Sequence, residues 1–188
     1  MKTFLILTLL LIGFSFCFLE IYFLLAYIRS GFGKYPPFVI SFGRAKNIVL
    51  NEAEKILAKT SHKTNVYDLG CGDGGLLLPL AKRFPHHVFI GYEWDWLPYL
   101  LAKFRCRNHP NIKIIKADFM KQNYHNAGLV LCYTGPYLKH RLGHKLNNEL
   151  SKGTHVISEA FELDELPQKK EISSPTLKMP MKVFLYQK

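Results

Sequence analysis

Acidic residues are scarce in this chain. Its 14 Asp and Glu stand against 25 Lys and Arg, a formal net charge of +11. That balance favours anionic partners: nucleic acid, a phospholipid surface or acidic protein. Cysteine is sparse as well. Cys17, Cys71, Cys106 and Cys132 are scattered and form no C-x-x-C pair. The spacing supports neither a disulfide framework nor a zinc site, and it fits a reducing compartment. There is no internal repeat and no low-complexity segment. Tryptophan occurs twice, at Trp94 and Trp96.

What the chain does have begins with a long apolar run. Phe4 to Ile28 reads FLILTLLLIGFSFCFLEIYFLLAYI, with Glu20 its only ionisable side chain. About 20 apolar residues suffice for a helix to cross the hydrocarbon of a bilayer. The run exceeds the roughly 7–15 residues of a signal-peptide core, and no A-x-A-like site follows it. A spanning anchor is the expectation. Lys2 precedes it alone, whereas Arg29, Lys34, Arg44 and Lys46 follow, so the positive-inside rule places the C-terminal part on the cytoplasmic or topologically equivalent side. Glu20 is costly against lipid; its place near one end of the span allows it to snorkel.

With 188 residues, about half of them apolar, the chain has room for one ordinary domain and an appendage. The expected layout is an anchor and its flank over 1–34, a pre-domain segment with a helix over 35–60, and the domain over 61–188. SGFGKYPPFVISFG, with Pro36 and Pro37, reads as an extended linker. NIVLNEAEKILA, Asn47 to Ala58, reads as an amphipathic helix. Strand-like and helical runs then alternate. The strands are NVYDLG, HVFIGYE, IKIIKAD, AGLVLCY, HVISEAF and KVFLYQK; the helices are GLLLPLAKRF, WLPYLLAKFR and YLKHRLGHKLNNEL. Pro79 falls early enough in its helix to be tolerated. This is the pattern of an α/β, Rossmann-like domain with a mostly parallel sheet and helices on both faces.

Between the first strand and the helix after it stands D-L-G-C-G-D-G-G, Asp68 to Gly75. Two nucleotide templates fit at once. Gly70, Gly72 and Gly75 make the G-x-G-x-x-G of dinucleotide folds; Asp68, Gly70, Gly72 and Gly74 make the D-x-G-x-G-x-G of S-adenosylmethionine (SAM) folds. The acids decide between them. A dinucleotide sets a pyrophosphate at the helix N-terminus, where Asp68 and Asp73 would repel it. SAM carries a sulfonium and an ammonium, which carboxylates complement. Glu93 ends the second strand about 20 residues on and can accept from both ribose hydroxyls. Asp118 ends the third and can accept from the adenine amino group. Cys71 lies within the turn, Trp94 follows Glu93, and Phe119 follows Asp118, so all three join the candidate cofactor site. In open α/β sheets, ligands bind beyond the carboxyl ends of the strands, where these acids stand.

From about Pro37 to Phe161 the chain resembles the membrane-anchored class I protein-lysine N-methyltransferases of mitochondria, which act on the ATP synthase c-subunit and the adenine nucleotide translocase, and their bacterial relatives. The resemblance is carried by PFVIS (Pro37–Ser41), DLGCGDG (Asp68–Gly74), GYEWDWLPYLLAKFR (Gly91–Arg105), ADFMK (Ala117–Lys121) and KLNNELSKGTHVIS (Lys145–Ser158). Where that family's pre-domain segment reads closer to P-F-V-P-[ST]-P, this chain has Ile40 and Phe42 in place of prolines. The resemblance implies a SAM-dependent enzyme whose acceptors are lysines of membrane proteins.

The loop after the fourth strand, Tyr133-Thr134-Gly135-Pro136-Tyr137, is placed to meet the acceptor, so Tyr133, Thr134 and Tyr137 are the candidate catalytic residues. Its T-G-P-Y departs from the [DN]-P-P-[YF] of enzymes that methylate planar base nitrogens, which lowers the expectation of a nucleic-acid partner. His140 and His144 have metal-like helical spacing, yet Lys139, Arg141 and Lys145 flank them and would repel a cation, so no metal is expected. That helix reads instead as a solvated cationic face. Two other classes remain open: a nucleic-acid or small-molecule methyltransferase, and a catalytically silent SAM-binding scaffold.

Overall fold

The computed structural model describes residues 2–31, 43–174 and 181–188. The chain divides into two compact units, Met1–Phe38 and Val39–Lys188. Most of the expected linker, PFVIS included, lies outside the described residues.

Among its described residues the first unit is one helix, α1 (Lys2–Gly31). At 1.5 Å per residue, thirty residues reach about 45 Å, beyond the ~30 Å hydrocarbon of a bilayer. Its segment Thr3–Tyr22 is long and apolar enough to cross a membrane. Described apolar side chains are exposed on every side of it. The hydroxyls within it bond to the turn before: Thr8 Oγ1 donates to the Phe4 carbonyl (2.9 Å) and Ser15 Oγ to that of Leu11 (2.8 Å). Such bonds satisfy polar groups without water, as lipid requires.

The second unit opens with α2 (Gly43–Ala58), which begins four residues earlier than the periodicity predicts. There follow β1 (Asn65–Leu69), α3 (Leu77–Arg83), β2 (Val88–Glu93), α4 (Trp96–Cys106), β3 (Ile112–Lys116), β4 (Ala127–Cys132), α5 (Lys139–Glu149), β5 (His155–Glu159), β6 (Gln168–Ser174) and β7 (Met181–Gln187). The sheet order is β3-β2-β1-β4-β5-β7-β6. β1 to β5 are mutually parallel, and β7 runs antiparallel to both β5 and β6. Strand side chains alternate between two cores, as a pleated strand with both faces covered requires. Val66, Phe89, Leu129, Leu131, Ile157 and Val183 join a core with α2, α3 and α4. Tyr67, Ile90, Val130, Val156 and Phe184 join a second with α5.

Two features differ from the sequence expectation. α2, set apart there as a pre-domain helix, buries Ala45, Val49, Ala53 and Leu57 and belongs to the domain core. β6 escapes periodicity because QKKEISS is polar. It is an edge strand whose charges suit an edge, with Glu171 paired to Lys182 of β7 at 2.9 Å. Three tyrosines far apart in sequence also pack together. Tyr67 stacks on Tyr92 at 6.1 Å, and Tyr124 meets their rings edge-on at 5.3 and 6.2 Å. Together they brace β1 and β2 against the segment that follows Asp118.

Candidate active site

The strand order reverses between β1 and β4, the switch point at which open α/β sheets form their crevice. Register brings the strand ends level there: Leu69 pairs with Tyr92 and Cys132, and Cys132 with Ser158.

The glycine turn follows β1. Gly70, Gly72 and Gly74 adopt φ of +79°, +56° and +76°, the left-handed region, whereas Gly75 is not among the positive-φ residues. The left-handed positions therefore recur every second residue, matching D-x-G-x-G-x-G and not G-x-G-x-x-G. Gly74 is also tightly placed: a Cβ there would stand 2.9 Å from Cys106 Sγ. At Gly70 a Cβ would meet nothing within 4 Å, so open space lies in front of it for a ligand to approach. Backbone bonds hold the turn. The amides of Gly70 and Cys71 both donate to the Tyr92 carbonyl, at 2.9 and 3.0 Å. Gly72 N–H donates to Glu93 Oε2 at 2.9 Å, and Asp95 N–H to Glu93 Oε1 at 2.8 Å. Glu93 is thus buried and oriented by two amides, with acceptor capacity left on each oxygen.

Asp68 is 3% exposed. Burial, then the charges of Glu93, Glu159 and Asp73, push its carboxyl up to about 8. A positive charge among these carboxylates would relieve the cost of ionising them. The sulfonium and ammonium of SAM fit the donor set, and a pyrophosphate does not.

The other candidates are placed unequally. Asp73 is occupied, ion-paired with Arg105 of α4 and accepting from Gly75 N–H at 3.1 Å. Asp118 Oδ1 caps the short 3₁₀ turn Phe119–Lys121 by accepting from Met120 N–H at 2.9 Å. Cys71 and Phe119 are buried in the two cores. Trp94 is exposed, its ring 5.5 Å from Lys116 Nζ. Across the switch point, Thr134 is buried and Tyr133 stacks on Phe161 at 6.3 Å. Tyr137 is 78% exposed and stands at the rim. His140 pairs with Asp164 and His144 with Glu165. The α5 face read as solvated and cationic therefore carries acids from the loop after β5.

One residue that sequence reasoning passed over belongs to this edge. Glu159 ends β5 and is 1% exposed. Its charge helps raise Asp68, and after burial it raises the Tyr133 hydroxyl as well. The next residue, Ala160, sits at φ +68°, and Phe161 N–H donates back to the Glu159 carbonyl at 2.9 Å. This is a γ-turn of the hand that L-residues rarely adopt, a strain of the kind found at functional sites. The signal was available: Glu159 is a fourth acid at a strand's carboxyl end.

Fold and site together define a class I SAM-dependent methyltransferase. A family model of the ANTKMT methyltransferase domain matches residues 68–170, and the chain belongs to that family. It is 31% identical over 133 residues to a protein-lysine N-methyltransferase of Saccharolobus islandicus, covering 69% of this chain and 83% of that protein. It is 30% identical over 101 residues to a tRNA (guanine-N(7)-)-methyltransferase of Meyerozyma guilliermondii, covering 45% of this chain and only 37% of that enzyme's length. Among solved structures it is similar in fold to an RNA methyltransferase from Salinibacter ruber in complex with S-adenosyl-L-homocysteine. The TM-score is 0.62 at 19% identity, covering 79% of this chain and 93% of that one.

Proposed function

We propose that this chain is a membrane-anchored methyltransferase that modifies lysine side chains of a membrane protein. The observation that carries the reading is the buried acid on the acceptor side of the switch point, Glu159. A lysine arrives as an ammonium, which a carboxylate attracts. Guanine N7 of a tRNA is neutral and arrives on a polyanion, which the same carboxylates repel. The relative named a protein-lysine N-methyltransferase supports this choice.

When bound, SAM supplies a methyl group already activated by its sulfonium. The chain's own work is then positioning and exclusion of water. Asp68 sets the cationic part, Glu93 accepts from the ribose hydroxyls, and the free capacity of Asp118 serves the adenine amino group. Gly70 and Gly72 permit close backbone approach. Glu159 holds the acceptor ammonium and can take up the proton it must lose. Tyr133 and Thr134 wall the acceptor channel, and Tyr137 lies at its mouth. α1 confines the domain to a membrane surface, where tethering raises the effective concentration of membrane-bound targets. The positive-inside rule puts the domain on the cytoplasmic or topologically equivalent side.

Membranes incubated with the purified chain and methyl-labelled SAM test the reading. Label is expected in membrane protein and, after hydrolysis, in methylated lysine; label in RNA or lipid instead would overturn it. Deleting Met1 to Ser30 is expected to leave methylation of a short soluble lysine peptide unchanged and to reduce labelling of the intact membrane target sharply.

A further inference from the structure

α4 is amphipathic the wrong way round for a surface helix. The residues it turns into the core, Pro98, Ala102 and Cys106, are small. On the opposite side, Trp96, Leu100 and Phe104 recur every fourth residue, 61%, 54% and 65% exposed, with Leu97 and Leu101 beside them at 40% and 44%. A helix apolar on its outward face needs a partner for that face.

The surroundings indicate which partner. From Trp96 to Ala117 the chain has Lys103, Arg105, Arg107, Lys113 and Lys116 and neither Asp nor Glu; of these, Arg105 is already paired with Asp73 of the glycine turn. Two of these bases lie against the apolar stripe itself. Arg107 sits over the Phe104 ring at 3.8 Å, and Lys116 Nζ lies 4.3 Å from the Trp96 ring centre. Lys103, Arg107, His109 and Lys113 line an open groove between α4 and β3. Aromatic and aliphatic side chains bordered by Lys and Arg are the composition of a helix that lies in a lipid headgroup region. The chain's own topology puts lipid within reach. Residues 32–42, which join α1 to α2, span about 40 Å at most, so an inserted α1 keeps the domain near the bilayer.

We propose that the outward face of α4 docks on an anionic lipid bilayer, with Trp96, Leu100 and Phe104 entering the interface and the flanking bases meeting headgroup phosphates. The proposal rests on α1 being an anchor and adds to it. α4 begins just beyond Glu93, so docking also holds the carboxyl edge of the sheet at the lipid surface, where a membrane protein presents its lysines.

The two tryptophans of the chain, Trp94 and Trp96, both lie at this face and none lies in α1, so their fluorescence reports docking separately from anchoring. The full chain is reconstituted into vesicles of phosphatidylcholine alone or mixed with phosphatidylglycerol, each with lipids brominated high on the acyl chain. In the anionic vesicles, tryptophan emission is expected to shift to the blue and to be quenched several-fold more than in neutral ones. Leu100→Glu/Phe104→Glu is expected to abolish the difference while S-adenosylhomocysteine affinity, read by calorimetry, stays within about twofold. Equal quenching in both vesicle types, quenching unaffected by the double variant, a blue shift without quenching that is lost on lowering the protein-to-lipid ratio (a second copy covers the face), or emission that answers to added tRNA rather than to vesicles would each overturn it. Alkaline carbonate extraction reads the anchor independently. A chain that stays with the vesicles yet shows no quenching refutes docking alone; one released by carbonate refutes the anchor.

Discussion

Around β1 and β2 the carboxyl edge of the sheet is held by backbone. Gly70 and Cys71 donate to the Tyr92 carbonyl, and Gly72 and Asp95 fix Glu93. Around β4 and β5 side chains join the backbone bond from Phe161 N–H to the Glu159 carbonyl. Tyr133 stacks on Phe161, the Ser158 hydroxyl donates to the Phe161 carbonyl, and the turn at Ala160 is strained. The first arrangement needs glycines at set spacings and so leaves a motif. The second can be met by many residue combinations and leaves none. In the function proposed above the first region is the cofactor half and the second the acceptor half, and the difference between them is that backbone geometry tolerates few sequences whereas side-chain packing tolerates many.

The largest expected effect separates the halves most sharply. Asp68→Asn removes a charge from the cofactor half, and breaking a buried charge pair costs about 3–5 kcal/mol. SAM affinity is expected to fall by about 10²–10³-fold by calorimetry. The unliganded Tm should rise, because a carboxyl held near 8 by burial no longer opposes folding. A fall in both would show that Asp68 is structural.

Glu159→Gln is the counterpart on the acceptor half. Loss of a general base lowers kcat by about 10²-fold, while SAM affinity should change little. If affinity falls and kcat holds, Glu159 belongs with the cofactor half instead. Glu93→Ala is expected to weaken SAM binding by about 1–3 kcal/mol, the cost of leaving buried partners unpaired. It should do so without changing which acceptor is used.

The pH dependence tests the electrostatics of the cofactor half directly. The Asp68 carboxyl has an ordinary value of 3.8 and a folded one of about 8. Its contribution to unliganded stability is therefore full below the ordinary value and is lost as pH rises through about 8. A bound cation favours the ionised form, so binding below about 8 must release a proton. SAM affinity is expected to rise by up to about tenfold per pH unit toward that value and to level off above it. Calorimetry in buffers of different ionisation enthalpy counts the proton; no release at neutral pH would refute the cluster's role.

The smallest effect compares two glycines of one turn. Gly74→Ala meets both a left-handed φ and Cys106 Sγ, and is expected to lower stability by about 1–3 kcal/mol. Gly70→Ala meets only the φ. It should cost less stability and more SAM affinity, since its methyl group would enter the space where the ligand approaches. Thermal melts beside calorimetry distinguish the two.

Much of the geometry around the glycine turn was legible in the sequence. A left-handed turn is a local property, so the spacing of Gly70, Gly72 and Gly74 encodes it directly, and Asp68, Glu93 and Asp118 are found by their place at strand ends. The same local logic marks α1, where a long apolar run with a single ionisable residue is enough. Roles within the site were less legible. Nothing near Asp73 in sequence announces Arg105, which occupies it from α4, and Cys71 and Phe119 look like turn neighbours yet fill the cores.

The sequence by itself determined the α/β alternation, the glycine turn and the apolar N-terminal helix, because each depends on neighbours within a few residues. Tertiary structure alone decided three other things. It paired Asp73 of the glycine turn with Arg105 of α4. It paired the polar β6 with β7. And it turned the larger apolar side chains of α4 outward. Each depends on which long-range partners a segment meets, and periodicity can count the apolar faces of a helix or strand without saying which of them the rest of the fold will cover.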